Sequence, residues 1–311
     1  MKIHRSIDTF RANNPVVTIG TFDGVHVGHR KVIDRLLNVA AAQQGESVVF
    51  TFYPHPRLIV NPDDTSLRLI TTLEEKTELL ASMGIDHLIV YPFTKEFSDL
   101  ASADFVKTIL VDKLKTAYLV VGHDHKFGKN REGGYGYLKK CAMLYGFGIE
   151  RLDALLLNDI QISSSSIRMA LQLGNIEAAN KYLGYNFTLH GKVVEGRRLG
   201  RKIGFPTANI ESSDIHKIIP GYGVYAVKIG IEGKMFNGML NIGTRPTFNQ
   251  NADKRSIEVN IFDFDKDIYN KNITLHFIKR IREERKFNGP EELTAQLIKD
   301  RKSALIFLQG N

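Results

Sequence analysis

Two histidines stand three residues apart in the segment 20–29, which reads GTFDGVHVGH. His26 and His29 follow a short apolar run and precede a helical pattern, so we expect them at a helix N-terminus. Such a terminus suits phosphate, and imidazoles there can donate hydrogen bonds as negative charge develops. There are two alternatives. One is a zinc site, for which the sequence offers no third ligand near the two histidines, and the other is a strand–turn–helix corner with surface histidines. The other candidate ligand-binding residues of this segment are Gly20, Phe22, Asp23 and Gly28.

A serine-rich segment, ISSSSIR at 162–168, precedes a second helical pattern. Hydroxyl and N–H groups at a helix start can hold phosphate, and Arg168 adds a fixed positive charge. Serines in this position also act simply as helix caps. The candidate phosphate contacts of this segment are Ser163, Ser164, Ser165 and Arg168.

Two further polar segments follow strand-like runs in the first half of the chain. They are GHDHKFGKNREG at 122–133 and TFYPHP at 51–56. Loops at the carboxyl ends of parallel strands are the usual ligand edge of a sheet. Asp124, Phe127 and His55 are the candidate contacts, and for His55 the alternative is a turn residue held between prolines.

Glycines and basic residues recur early in the second half, in GKVVEG at 191–196 and GRKIGFPTAN at 200–209. Backbone N–H groups of such loops can cradle phosphate, although no Walker A pattern is present. Thr207 and Asn209 would share one strand face, where their oxygens could hold Mg²⁺ bound to phosphates; the alternative is a polar strand start. The candidate ligand-binding residues here are Gly191, Lys192, Gly204 and Pro206.

The periodicity predicts a different architecture for each half. A β-α-β order in the first half predicts a doubly wound parallel sheet with helices on both faces. Short β-branched runs from residue 187 onward predict an antiparallel barrel with a terminal helix. The predicted strands are 16–19, 47–52, 87–91, 117–121 and 149–152, then 193–194, 224–229, 235–242, 256–262 and 273–278. The predicted helices are 30–44, 72–83, 103–114, 135–145, two pieces within 163–184, and 290–307. We therefore expect domains at 1–185 and 186–311.

Composition restricts the class of protein. The chain has 311 residues and a net charge of +8, with 43% hydrophobic residues, which excludes a disordered chain. Residues 1–185 hold 21 Lys+Arg and 20 Asp+Glu, whereas residues 186–311 hold 21 and 14. The excess indicates an anionic partner: nucleic acid, a phosphorylated small molecule or an acidic surface. One cysteine, and no apolar run long enough for a signal peptide or a membrane span, favour a cytoplasmic protein.

The motifs resemble two enzyme families. HVGH with ISSSSIR resembles the nucleotidylyltransferase superfamily, and the segments 51–56 and 122–133 resemble bacterial FAD synthetases, with His125 where an aromatic residue is usual. GFPTAN, together with GVYA at 223–226 and NIGTRPTF at 241–248, resembles riboflavin kinases. Glu258 matches that family's catalytic acidic position, and Arg282 matches the basic segment before the last helix.

The chain is thereby similar to the bacterial bifunctional riboflavin kinases/FAD synthetases, and the resemblance implies two reactions. The barrel would phosphorylate riboflavin from ATP, with Glu258 taking the hydroxyl proton and Mg²⁺ on Thr207 and Asn209. The first domain would join FMN to AMP from a second ATP, giving FAD and pyrophosphate, with His26 and His29 stabilising the developing charge.

The resemblance also assigns the remaining candidates and the partners. Arg168 would act with the histidine pair, and the other phosphate contacts of each half would bind ATP. The flavin contacts would be His55, Asp124 and Phe127 in the first domain and Arg282 in the second. We expect a monomer whose partners are riboflavin, FMN and ATP, with neither nucleic acid nor membrane. The alternatives are another nucleotidylyltransferase fused to a basic nucleic-acid-binding barrel, and a flavin-binding module with an inactive site.

Overall fold

The computed structural model describes residues 1–157, 160–196, 200, 203–244 and 255–309. The chain divides into two compact units, Met1–Ser164 and Ser165–Asn311. Parts of two sequence motifs lie outside the described residues, namely Arg201 with Lys202, and the RPTF tetrapeptide at 245–248. Among the described residues, no helix combines the length and the apolar character that a bilayer crossing needs.

The first unit is built on a six-stranded parallel sheet in the order β1-β4-β3-β2-β5-β6. β2 lies inside the sheet, between β3 on one side and β5 on the other. The order reverses there, which makes the carboxyl edge of β2 a switch point of the kind that binds ligands. The strands are β1 (Lys2–His4), β2 (Val16–Ile19), β3 (Ser47–Tyr53), β4 (His87–Pro92), β5 (Tyr118–Val121) and β6 (Gly148–Arg151).

Helices cover both faces of this sheet, as the sequence predicted. Val16 and Val49 belong to one core together with α1 and α3, whereas Val17 and Val48 belong to a second core with α6 and a π-helical segment. Because successive strand residues point to opposite faces, the two cores lie on opposite sides. The helices are α1 (Val27–Ala42), α2 (Pro56–Val60), α3 (Leu73–Ser82), α4 (Lys95–Ser98), α5 (Ser102–Asp104) with the π-helical Phe105–Lys113, and α6 (Tyr135–Tyr145).

Capping motifs and hydrophobic periodicity predicted some elements of the first unit correctly and missed the shortest ones. The capping box of α3 is confirmed, since Thr72 Oγ1 accepts from the Glu75 N–H and the Glu75 carboxylate accepts from the Thr72 N–H. The helix predicted over 103–114 is mostly π-helical, a winding that periodicity does not separate from an α-helix. β1, α2 and α4 were not predicted, because three to five residues carry too little periodicity.

The second unit opens with two short helices. They are α7 (Ser164–Gln172) and α8 (Ile176–Leu183), which are separated at Gly174 as predicted. α8 is fastened to the barrel, because the Asn180 side-chain amide donates to the Phe277 carbonyl oxygen (2.9 Å). The boundary expected at residues 185 and 186 stays a prediction for the functional domains, since compactness places these helices in the second unit.

The rest of the second unit is a closed six-stranded antiparallel barrel in the order β10-β13-β12-β11-β14-β9. A two-stranded ribbon, β7 (Leu156–Leu157) with β8 (Ile160–Gln161), belongs to the first unit. α9 (Pro290–Gln309) packs Ala304 and Leu308 against barrel residues such as Met239. The barrel strands are β9 (Thr188–Val194), β10 (Ala208–Ser212), β11 (Gly223–Ile231), β12 (Lys234–Thr244), β13 (Arg255–Ile261) and β14 (Asn272–Arg282).

Candidate active sites

The histidine pair lies between the end of β2 and the first turn of α1. His26 is the N-cap of α1, and its Nδ1 accepts a hydrogen bond from the His29 backbone N–H (3.3 Å). The two rings stack with centroids 3.6 Å apart and an interplanar angle of 18°. Because Nδ1 of His26 accepts this bond, it carries no proton, and the donor of that ring is Nε2–H.

His29 is a neutral imidazole near pH 7. Burial of the ring lowers the pKa of His29 well below its ordinary value, and electrostatic interactions with His26 and Lys76 act in the same direction. Gly28 lies between the two histidines, and a Cβ there would lie 3.1 Å from the His26 ring. A pair arranged in this way can stabilise an anion by hydrogen bonds rather than by a full charge on His29.

Asp23 fixes the loop that leads into this pair. Its carboxylate is 2% exposed and accepts hydrogen bonds from the backbone N–H groups of Ile70 (2.9 Å) and Thr71 (3.1 Å). The Asp23 carbonyl oxygen accepts from the Ser164 hydroxyl (3.0 Å), which ties this loop to the serine-rich segment. The geometry gives Asp23 a structural role in shaping the site.

The loops around the carboxyl edge of the first sheet enclose a cleft of about 240 Å³. It brings residues from the histidine loop, the 122–125 loop and the serine-rich segment to one place. Ser165 and Arg168 belong to the second unit. The predicted site residues that line the cleft are Gly20, Phe22, His26, Gly28, His29, Asp124, Ser163 and Ser164.

His55 and Phe127 are not among the residues that line this cleft. His55 is the N-cap of α2, where its Nδ1 accepts from the Arg57 backbone N–H (3.2 Å). This is the turn-type role that the sequence left open for it. Phe127 is buried in the core shared with Phe105, with ring centroids 5.4 Å apart. Both residues shape the loops near the cleft rather than its wall.

His125 lines the cleft and carries a buried nitrogen, Nε2, with no hydrogen-bond partner among the residues that the structure describes. Its ring stacks on Phe127 at 5.8 Å between centroids. Burial lowers the pKa of His125 to about 4, while Asp124 opposes and Arg131 assists this shift. A buried polar atom without a partner costs about 1–3 kcal/mol, so the histidine destabilises its loop relative to an aromatic residue.

We expect His125→Phe to raise the stability of the first unit by about 1–2 kcal/mol at pH 7.5. The gain should grow to about 3–4 kcal/mol at pH 5, because the unfolded histidine, with its ordinary pKa of 6.5, binds a proton that the folded one excludes. The free energy of unfolding of the wild-type first unit is therefore unaffected by this proton above pH 6.5, and it decreases as the pH falls from 6.5 towards 4. Hydrogen exchange of first-unit peptides, read by mass spectrometry, measures both values.

His123→Phe is the matched control, because His123 is an exposed histidine of the same loop. It should leave exchange protection of the first unit nearly unchanged at both pH values. Equal protection of His125→Phe and wild type at pH 5 would show that burial of His125 carries no energetic penalty.

Glu258 lies in a row of facing residues across the barrel. The ladder places it opposite Asn209 of β10 on one side and Asn241 of β12 on the other. The row continues from Asn241 to Val224 of β11 and from there to Arg282 of β14. Residues that face each other across a ladder share one side of the sheet, so the predicted kinase residues converge there.

Thr207 completes this group at the start of β10. Its hydroxyl lies 3.4 Å from Oε2 of Glu258, within hydrogen-bond distance. Asn209 is two residues further along and faces Glu258 across the ladder. A hydroxyl, a side-chain amide and a carboxylate therefore meet at one place. The spacing of Thr207 and Asn209 predicted a shared strand face for these two residues, and the metal site expected there stays a prediction.

Two cavities of the second unit share Thr207 in their walls. One, of about 290 Å³, lies between the Glu258 row and α9 and has apolar walls. The other, of about 450 Å³, lies beside the segment 264–269 and also contacts Pro206. The first cavity is lined by Phe205, Met239, Phe287, Leu293 and Leu297 together with Asn241, Glu258 and Arg282.

Arg282 is held by a buried carboxylate of α9. Its Nε and Nη2 donate to Asp300 at 2.8–3.0 Å, and Asp300 is 1% exposed. Gln296 adds a hydrogen bond to the same carboxylate (2.7 Å). The guanidinium also lies over the Phe287 ring, 5.6 Å from its centroid. Arg282 is thus fixed at the wall of the apolar cavity by a bidentate ion pair.

The remaining kinase candidates lie in and around β9 and β10. Gly191 allows close strand approach, because a Cβ there would lie 2.5 Å from the Ile210 side chain. Lys192 is exposed on β9. Gly204 takes a left-handed turn (φ +77°) that favours glycine, and the Pro206 carbonyl oxygen accepts from Asn260 (2.7 Å).

Sequence reasoning missed three residues of these sites: Lys76, Asn241 and Asp300. Lys76 and Asp300 each occupy an apolar-face position of an amphipathic helix, between Leu73 and Leu80 in α3 and between Leu297 and Ala304 in α9. A charged residue at such a position was the signal that could have found them. Asn241 opens the NIGTRPTF segment, so a motif marked its neighbourhood, but its place opposite Glu258 needed the barrel register, which the sequence does not give.

Comparisons with known proteins agree with this division. The FAD synthetase family model matches residues 9–166, and the riboflavin kinase model matches residues 183–308. The bifunctional riboflavin kinase/FMN adenylyltransferase of Bacillus subtilis is 40% identical over 298 residues, covering 95% of this chain and 93% of that protein. Its namesake from Escherichia coli is 38% identical over 293 residues, covering 94% and 92%.

A solved structure, described as a macrolide-efflux protein from Streptococcus pneumoniae, has the same fold. The TM-score is 0.88 at 28% identity, and the match covers 97% of this chain and 98% of that one. Both family models, in this order and at this coverage, establish that the chain belongs to the bifunctional riboflavin kinase/FMN adenylyltransferase family, the enzymes of two-step FAD synthesis.

Proposed function

We propose that the second unit phosphorylates riboflavin to FMN and that the first unit adenylylates FMN to FAD, through the residues assigned below. The observation that carries the proposal for the second unit is the meeting of Thr207, Asn209 and Glu258 in its barrel. For the first unit, taken by itself, it is the helix terminus that His26 caps at the wall of the cleft. Each arrangement matches the chemistry of the family model that covers it.

In the kinase step, Glu258 is proposed as the general base. Its carboxylate would take the proton from the ribityl hydroxyl as that oxygen attacks the γ-phosphorus of ATP. The Thr207 hydroxyl, 3.4 Å away, keeps the carboxylate oriented. The bound flavin ring would lie in the apolar cavity, whose wall includes Phe205, Phe287 and the fixed Arg282.

Thr207 and Asn209 are proposed to hold Mg²⁺. Hydroxyl and amide oxygens beside a carboxylate are the hard donors that this ion prefers, so the residues present fit it. When bound, Mg²⁺ would neutralise phosphate charge during transfer. The larger cavity, which also has Thr207 in its wall, would accept the nucleotide, with Pro206 at its edge and Tyr269 opposite.

Gly191, Lys192 and Gly204 are proposed as further contacts of the kinase nucleotide. At Gly191, β9 and β10 lie too close together for a side chain, so the surface that this position offers to a ligand is backbone. Lys192 is exposed, so its ammonium stays hydrated in the free protein and is available to a phosphate of ATP. The left-handed turn at Gly204 brings the chain into Pro206 and Thr207.

In the adenylyltransferase step, the FMN phosphate attacks the α-phosphorus of ATP, and pyrophosphate leaves. A phosphate monoester is already ionised near pH 7, so the step needs no strong base. Nε2–H of His26, the neutral His29 and the N-terminus of α1 would hydrogen-bond the oxygens that gain charge. The hydroxyls of the serine-rich segment would hold the triphosphate: Ser163, Ser164 and Ser165, with Arg168 as their cation.

The histidine loop and the 122–133 loop would complete the ligand contacts of this step. Gly20, Phe22 and Gly28 would bind ATP at the wall of the cleft, and Asp124 would bind the flavin there. Asp23 would act through the loop that it fixes. His55 and Phe127 are proposed to support the flavin side by shaping their loops.

The proposal extends to the protein's surroundings. We propose a cytoplasmic monomer that acts on riboflavin, FMN and ATP and has neither nucleic acid nor membrane as a partner. The basic excess of the second half supports this in part, because Arg282 is engaged by Asp300 and Arg301 by Asp263. Those cations are used within the fold.

Chromatography of flavins after incubation with ATP and Mg²⁺ tests the function. Riboflavin should be converted to FMN and then to FAD, and FMN supplied alone should be converted to FAD with release of pyrophosphate. Leaving out Mg²⁺ should abolish FMN formation, since Thr207 and Asn209 would have no ion to hold. Flavins that remain unchanged in the complete mixture would contradict the proposal.

A further inference from the structure

Lys76 is a buried lysine beneath the loop that leads into the histidine pair. Its Nζ donates a hydrogen bond to the carbonyl oxygen of Thr21 (2.7 Å), and the residue is 6% exposed. Lysine is almost never fully buried unless it is paired. The cost of placing an ammonium here therefore implies a role that an apolar residue could not fill.

The Thr21 carbonyl is part of a small network that fixes this loop. It also accepts a hydrogen bond from the Thr51 hydroxyl of β3 (3.2 Å). One residue further on, Phe22 has a left-handed backbone (φ +47°), and Asp23 is then bound to the N–H of Ile70. A loop with such a turn needs fixed partners on both sides, because its geometry is not a low-energy one for phenylalanine.

We propose that Lys76 is a positioning residue for the adenylyltransferase step. Its ammonium holds the Thr21 carbonyl, and the loop so fixed sets the approach of His26 and His29 to the triphosphate. This role rests on the function proposed for the first unit. Lys76 does not line the cleft, so its ammonium acts on the loop from behind the phosphate site and does not contact the phosphates itself.

The charges around Lys76 decide how the contact responds to pH. Asp23 faces it from the loop and favours its charged form, whereas burial opposes that form more strongly and lowers the pKa of Lys76 to about 8. His26 and His29 lie on the α1 side, and Glu75 is held in the capping box of the same helix. Deprotonation above pH 8 turns a charge-assisted hydrogen bond into a weaker neutral one.

The pH profile of kcat/KM for ATP, measured for FAD formation from FMN between pH 7 and 9.5, tests this role. For wild type we expect a fall of about fivefold from pH 7 to 9, because most molecules lose the Lys76 proton and the neutral form is about tenfold less active. Lys76→Met should be about tenfold less active at pH 7 and show no fall. Lys76→Arg, which keeps its charge, should retain activity and also lose the fall.

The kinase activity of the same chains is the internal reference and should not follow these changes. Lys107→Met is the matched control, because Lys107 is an exposed lysine of the same unit, paired with Asp112. It should keep the wild-type profile. Because the wild-type profile requires no variant to fold, a flat profile for FAD formation from pH 7 to 9.5 overturns the proposal by itself.

The outcomes separate this role from the function on which it rests. If wild type makes FAD while Lys76→Met matches it in rate and in pH profile, Lys76 is not a positioning residue, and the proposed function stands. If wild type makes no FAD from FMN and ATP at pH 7.5, the function of the first unit is wrong, and the role of Lys76 falls with it.

Discussion

His29→Ala should abolish the conversion of FMN to FAD and leave the conversion of riboflavin to FMN intact. The His29 ring is half-buried, neutral and stacked on His26 at 3.6 Å, so its removal takes away one donor and the surface that orients the other. Loss of one preorganised donor to a developing oxyanion costs about 10²–10³-fold in kcat. Loss of the pair's geometry should place the effect at the upper end.

Separate assays of the two steps measure this effect. FMN and ATP report the first unit, and riboflavin and ATP report the second, so each variant carries its own reference. Equal loss of both activities would indicate a global folding defect, which circular dichroism would show. Unchanged FAD formation would contradict the assignment of the histidine pair. The substitution also removes the ring contact between His29 and Phe22, whose centroids lie 5.2 Å apart, so an unchanged rate would exclude an effect of this packing as well.

Much of the site could be predicted because its signals are local in the chain. The helix cap at His26 needs only a strand, a turn and the first turn of a helix, all within about fifteen residues. Thr207 and Asn209 are two residues apart, and strand periodicity alone places them on one side. The layers of both units followed from the same periodicities, with strands of period two and helices of period 3.6.

The rest could not be predicted because it depends on contacts distant in sequence. Asp23 resembles a ligand in the sequence, but Ile70 and Thr71, almost fifty residues away, occupy its carboxylate. Arg282 resembles an open cation, but Asp300 binds it bidentately. In each case a long-range hydrogen bond engages a side chain that the sequence presents as open to a ligand.

Glu258→Gln should abolish FMN formation from riboflavin while FAD formation from supplied FMN continues. The amide is close in shape to the carboxylate and can still bond the Thr207 hydroxyl, so the wall of the cavity should persist. It cannot accept a proton from the ribityl hydroxyl. General-base catalysis contributes about 10²–10⁴-fold, and the loss in kcat should fall in that range with a small change in KM for riboflavin.

Glu211→Gln is the matched control, because Glu211 is an exposed glutamate of the adjacent strand β10. It should keep both activities. A Glu258→Gln enzyme with full kinase activity would show that another group accepts the proton, whereas a rise in KM for riboflavin at constant kcat would assign Glu258 to binding alone. A fall in kcat at nearly constant KM would instead mean that the carboxylate acts in the transition state, at the point of the barrel where Asn209 and Asn241 face Glu258 across the ladder.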